Sequence, residues 1–431
     1  MLRDALRGGG DPMRRGSGVV ILTVSVAALL CGGPGWAAPA PAPENPAAGA
    51  LHTLFAAAWQ REMREDPLEA SADGFHEYDG MWPDLSLPAI AREHAEDEQT
   101  LKELAAIDRA ALPPEDRISC DLFKYRYENR VQAYDLKTYL MPMNQLDGIQ
   151  TLASMTRMLR FENASDYEHF VQRLETFAPF ADQTIALLKE GVKEGMAQPR
   201  VVMERIPHQI AANVVDTPED SAFYAPFTKM PEIIPAAEQA QLRARAIAAI
   251  AKVVIPAYRR LEKYFDNDYL PHCRTSIAAD ALPNGKAYYA FQVRTYTTTE
   301  LTPEQIHQIG LRKVAEIHAA MEKVMERTGF KGGYQAFLHF LRTDPRFFYK
   351  DPQDLLEAYR AAAKRVDPLL VRFFPVWLLP RVPYGVRPIP AALAPDTYPA
   401  YSVPPAGDGS VAGYVDVNLY KPESRPIPEI Q

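Results

Sequence analysis

The residues best suited to binding chemistry lie near the C-terminal end of the chain. Tyr384-Gly385-Val386-Arg387-Pro388 and Asn418-Leu419-Tyr420-Lys421-Pro422-Glu423-Ser424-Arg425 set Arg387, Asn418, Tyr420 and Arg425 on what reads as extended backbone. An arginine presents a fork of N–H donors that matches a carboxylate, and an amide or phenol beside a strand can hold a peptide carbonyl. Spacing alone favours such a peptide- or carboxylate-binding edge no more than an ordinary surface loop.

Other chemistries find less support. None of the nine histidines forms an H-x-x-x-H pair, and His76-Glu77 is followed by Tyr78-Asp79-Gly80 rather than by a second histidine. His307 and His318 share a helix flank but stand about 16 Å apart, too far to share one ion. His272-Cys273-Arg274 could lower a thiol pKa, although a buried, inert cysteine is the commoner outcome. There is no G-x-S-x-G elbow and no glycine-rich phosphate loop. Glu93, Glu96, Asp97 and Glu98 read as a solvated helix face rather than as an acid/base pair.

The elements that must position these residues are mostly helical. From Leu51 to about Pro271 apolar residues recur at helical spacing, as in Phe170, Leu174 and Phe177 or Ile247, Ile250, Val254 and Leu261. Asn284-Gly285 then signals a turn. Ala287 to Thr297, rich in Tyr, Val and Thr, predicts a strand or extended edge. Thr302-Pro303-Glu304-Gln305 is a capping box with proline at the first helical position, and it opens a helix to about Thr328 that Gly329 stops. Two further helices are predicted near Tyr334 to Leu341 and Asp351 to Phe374. Past Pro375 the density of proline forbids helix and central-strand pairing, so the chain should run as an extended segment to a short strand over Gly413 to Tyr420. The fold class is therefore mainly α: a large helical array with a small β element and an extended proline-rich C-terminal segment.

Composition bounds the class of partner. With 47% hydrophobic and 24% charged residues the chain is that of a folded globular protein. Arg14-Arg15 precedes an apolar run, Val19 to Leu30, and Gly35-Trp36-Ala37 suits a signal peptidase, so residues 1–37 read as a signal peptide with Met13 as the better start. A Sec-type signal fits better than a Tat signal. Leu30 argues against a lipoprotein site at Cys31, because a small residue is wanted there. Residues 38–50, rich in Ala and Pro, read as a tether, and 51–431 as the mostly helical domain. The protein is expected to be periplasmic or secreted. Its formal charge of −8 becomes about −10 once the signal leaves, which argues against nucleic acid or anionic lipid as partner. Only Cys120 and Cys273 would then remain, and two distant cysteines are more often free than paired.

Several stretches in order resemble the bacterial domain of unknown function 885 family: Gly285-Lys286-Ala287-Tyr288-Tyr289, Leu301-Thr302-Pro303-Glu304-Gln305-Ile306-His307-Gln308-Ile309-Gly310-Leu311, Tyr384-Gly385-Val386-Arg387-Pro388-Ile389-Pro390 and Val417-Asn418-Leu419-Tyr420. The early Asp73-Gly74-Phe75 and the export signal also fit. The resemblance implies exported, mostly helical proteins similar to zinc metallopeptidases of the carboxypeptidase Taq type. It implies a metal-binding helix, with a His-Glu pair and Pro-Gly-His-His, shortly after the Asn-Leu-Tyr strand, and no residue of this sequence can be assigned as one of its zinc ligands or its catalytic glutamate. The expectation is thus a truncated member, holding no zinc of its own although complete members would, catalytically inactive alone. It would supply the helical scaffold and the substrate-side strand of a peptide-hydrolysing cleft, with Arg387, Asn418, Tyr420 and Arg425 as substrate contacts. The alternative is a non-catalytic periplasmic protein that binds peptides or envelope components.

Overall fold

The computed structural model describes residues 45–157, 159–379, 382–391, 393–405, 409 and 411–427. The expected signal peptide, and the expected tether up to residue 44, lie outside these residues. The helices of ten residues or more are α1 (Pro46–Glu65), α2 (Leu87–Ala105), α3 (Pro114–Asp135), α4 (Ala164–Glu175), α5 (Phe177–Lys193), α6 (Ala236–Ala249), α7 (Ile255–Tyr264), α8 (Gly285–Thr297), α9 (Pro303–Thr328), α10 (Tyr334–Thr343) and α11 (Pro352–Val366). Three short strands follow: β1 (Gly385–Pro388), β2 (Ala400–Val403) and β3 (Tyr414–Val417). The mainly helical class read from the sequence is the class found. No helix among the described residues is long and apolar enough to cross a membrane.

The chain divides into two compact units, Met1–Glu62 with Ala91–Val131 and Met63–Ile90 with Gln132–Gln431. The first holds a small core of Leu51, Leu54, Leu104, Leu112 and Cys120. It also corrects one reading. Asp97, expected on a solvated face, is buried, because Arg61 donates to its Oδ1 at 2.8 Å and Arg130 to its Oδ2 at 2.7 Å. Tyr127 is fully buried and donates to Glu62 at 2.6 Å. A carboxylate can be buried where opposite charges and donors saturate it, and two arginines do so here.

The second unit is built around an aromatic core. Phe170, Phe177, Phe223, Phe227, Tyr258, Phe265 and Tyr269 are all buried, and the Tyr258 ring stacks 5.2 Å from Phe177. α4 starts at a reciprocal cap in which Asn163 Oδ1 accepts from the Asp166 N–H and Asp166 Oδ2 accepts from the Asn163 N–H. The helical run that Phe170, Leu174 and Phe177 mark in the sequence breaks at Thr176 into α4 and α5. Between α6 and α7 lies one π turn, Ile250–Val254, just before Pro256. A proline ring excludes the normal i−4 carbonyl, and a wider turn accommodates it without ending the helix.

Two further corrections concern local structure. The segment 287–297, predicted extended, is helix α8. Two of its aromatic residues face a core instead of a sheet: Phe291 is buried and Tyr288 packs against the cluster of Leu140, Leu187, Met196 and Leu282. Gly285 allows this, since a Cβ there would lie 2.5 Å from the Ala279 carbonyl oxygen. Tertiary burial overrides β-propensity in such a run. At the other end of the chain, α1 begins at Pro46, so 46–50 of the expected tether is the first turn of a helix, capped by Asn45 accepting from the Ala47 and Ala48 N–H groups.

The sheet has the order β1-β3-β2. β1 runs parallel to β3 with Gly385 opposite Tyr414 and Arg387 opposite Asp416. β2 runs antiparallel to β3 with Tyr401 opposite Asp416. Pro388 closes β1, an edge strand, where a missing N–H is tolerated.

Candidate ligand-binding site

The register of the sheet assembles the site. Residues directly opposite on neighbouring strands share a face, so Arg387, Asp416 and Tyr401 form one cross-strand row, with Tyr414 on the same face two residues before Asp416. Asp416 is 1% exposed. Arg387 Nε donates to its Oδ1 at 2.7 Å, and Arg157, which closes the 3₁₀ segment Ile149–Arg157, donates to the same oxygen at 3.3 Å and to the Pro388 carbonyl at 3.2 Å. The Arg387 guanidinium also lies 3.9 Å from the centre of the Tyr414 ring. Burial, together with the neighbouring Asp416 carboxylate, pushes the Tyr401 phenol above its ordinary range.

Gly385 explains the motif that precedes Arg387. A Cβ at this position would approach the Tyr414 ring to 2.7 Å. The missing side chain lets Tyr414 lie across β1, and the ring becomes the platform on which Arg387 stacks. The first of the two motifs is thus completed by Tyr414 and Asp416 of β3, which lie just before the second. The residues that sequence reading missed are Asp416, Tyr401, Tyr414 and Arg157. The period-two placement of Tyr414 and Asp416 was a usable signal for the first and third of these.

The four expected contact residues divide. Arg387 sits in the row, with its side chain partly exposed. Asn418 is buried, and its amide is used within the fold: it donates to the Ala394 carbonyl at 2.7 Å and accepts from the Tyr420 N–H at 2.9 Å. Tyr420 is exposed, with the Lys421 ammonium 5.0 Å above its ring. Arg425 is half-buried and its carbonyl accepts from the Tyr349 N–H at 3.3 Å. The expectation that the last strand pairs with a substrate backbone is corrected: β3 is the central strand, with β1 on one edge and β2 on the other.

What the row offers chemically is an excess of one positive charge. Two guanidiniums share one buried carboxylate, which suits a second anionic group at their exposed side. It does not offer an acid or base to solvent, because Asp416 is enclosed. Zinc, implied by the resemblance for complete members, finds no fitting donors: among the described residues no three His, Cys, Asp or Glu side chains converge on a point. His76 meets Asp79 at 2.9 Å. The thiols are no better placed as nucleophiles. Cys120 and Cys273 are free and buried, and burial pushes the Cys273 thiol up to about 11.

Known proteins bear on this geometry as follows. The family described as bacterial protein of unknown function (DUF885) matches residues 67–431. No curated protein matches the chain in sequence. Among solved structures, "The crystal structure of the putative lipoprotein from Colwellia psychrerythraea" is similar with a TM-score of 0.77 at 21% identity, over 88% of this chain and 69% of that one. At that identity the likeness shows the fold.

Proposed function

The chain belongs to the bacterial protein family of unknown function DUF885, and on that premise we propose that it is an exported peptide-binding scaffold of metallopeptidase-like descent. It holds a carboxylate-bearing peptide against its C-terminal sheet and does not hydrolyse it unaided. The observation that carries this reading is the convergence of Arg157 and Arg387 on the single carboxylate of Asp416. A peptide carboxylate would complete the charge balance at the partly exposed side of the two guanidiniums. Among the described residues β2 is hydrogen-bonded to β3 on one edge only, so its outer edge can accept an added backbone. Tyr420, exposed just past β3, is a further contact for the same peptide. Export rests on the signal-like N-terminal sequence. In an enzyme of this descent the same sheet would form the substrate side of the cleft, with catalysis supplied by groups that the described residues do not assemble.

The test is calorimetric titration of the whole chain with short peptides bearing free or amidated C-termini, alongside a hydrolysis assay with and without added zinc. Binding of the free acids without turnover is expected. Stoichiometric zinc with turnover, or no binding to any peptide, would overturn the reading.

A further inference from the structure

Helix α9 is the longest helix among the described residues, yet none of its 26 residues is buried. Its apolar stripe is exposed, with Val314 at 68% and Ile317 at 56%, and Ile309 and Val324 likewise open. One flank meets α10: the Tyr334 ring meets His318 edge-on at 4.1 Å, and its hydroxyl donates to Met321 Sδ at 3.3 Å. A second run, Leu369, Val371, Phe373, Phe374, Val376 and Leu378, is also exposed. A helix of this length is about 39 Å long, and a stripe about 10 Å wide along it covers about 400 Å². That alone equals the largest apolar patch of a typical monomer, and such patches mark interaction sites.

The charges beside the stripe are sorted. At about 100° per residue, Ile306, Ile317 and Val324 fall in line, and Lys313, Arg327 and Lys323 fall along one border. Glu304, Glu322 and Glu326 fall on the far side, and Glu316, which pairs with Lys313 at 2.6 Å, is the exception. The solved chain of the same fold is longer, since this chain covers 69% of it. From the open stripe, its basic border and that additional polypeptide, we propose that α9 is a docking site for an amphipathic helical polypeptide with acidic residues along one edge. The part of the longer chain without counterpart here is the source tested for such a segment. The formal charge of −8 disfavours an anionic bilayer as the occupant.

The experiment uses the whole chain and synthetic peptides of 26 residues, the length of α9, tiling the part of the Colwellia chain without counterpart here. Hydrogen exchange of residues 303–328 is read with each peptide, with phosphatidylglycerol vesicles, and over a concentration series of the protein alone. At least one acidic peptide should protect α9. Ile317→Glu should abolish that protection, and Lys313→Glu should weaken binding by about fivefold, an effect that salt erases. Protection by no peptide, by vesicles instead, or equally by self-association would overturn the proposal.

Discussion

Two regions of the second unit are built from helices of similar amphipathic pattern and end in opposite states. In α4 to α7 each helix buries its apolar face: Phe170 and Leu174, Phe177 and Leu188, Leu242 and Ala246, Tyr258 and Leu261 are all enclosed. In α9 to α11 the apolar residues stay largely open, and Phe337, Leu355 and Leu356 are the only buried ones in those three helices. Amphipathicity therefore says that a face wants a partner and does not say that the same chain supplies it. Helix α9 is held by what can be written locally: a Thr302 cap, Pro303 at its start, a reciprocal Gln305 contact, and Gly329 with φ 72° at its end. Such devices define a helix without packing it, and most helical stability in proteins comes from packing.

The sharpest way to break that contrast is to truncate one side chain in each region. Phe177→Ala should cost about 3–5 kcal/mol in urea unfolding, whereas Ile317→Ala should stay within about 0.5 kcal/mol. Equal losses would mean that α9 is packed in solution. The fully buried Arg173 offers a second probe of the body. It donates to Ser71 Oγ and the Tyr78 carbonyl, both at 2.8 Å, and burial lowers its pKa to about 10. Arg173→Ala should cost about 3 kcal/mol and loosen the segment 67–82, measured as proteolysis there, because it strips a buried hydroxyl and a partly buried carbonyl of their donor.

Smaller effects are expected at the sheet. Gly385→Ala should cost about 1–3 kcal/mol by pressing a methyl into the Tyr414 ring, and should weaken peptide binding by displacing Arg387. A Gly385→Ala protein with unchanged stability would contradict the stacked arrangement. The smallest effect is chemical. A thiol raised to about 11 stays protonated at pH 8, so iodoacetamide should label Cys273 slowly in the folded protein and quickly in urea, with the native rate climbing only as pH approaches that value. Fast native labelling at pH 8 would place Cys273 at an open surface.

How much of this could be read from the residues differs from place to place, for physical reasons. The bounds of α9 were legible because a capping box and a stop glycine act within one turn. The run 287–297 was not, because its Tyr288 satisfies a core contact that lies elsewhere in the chain, with Leu140, Leu187 and Leu282. Arg387 lies on a strand, as its extended-looking motif suggested. Its partner Asp416 lies 29 residues away and is found only through strand register. Asp97 misled for the same reason, since Arg61 and Arg130 reach it from two other helices.

The most direct test of the contrast is native-state hydrogen exchange of the whole chain. Amides of 164–193 and 236–264 should open only with free energies near that of global unfolding, while those of 303–328 should exchange through local opening with far lower protection. Uniform high protection across both stretches would contradict the account.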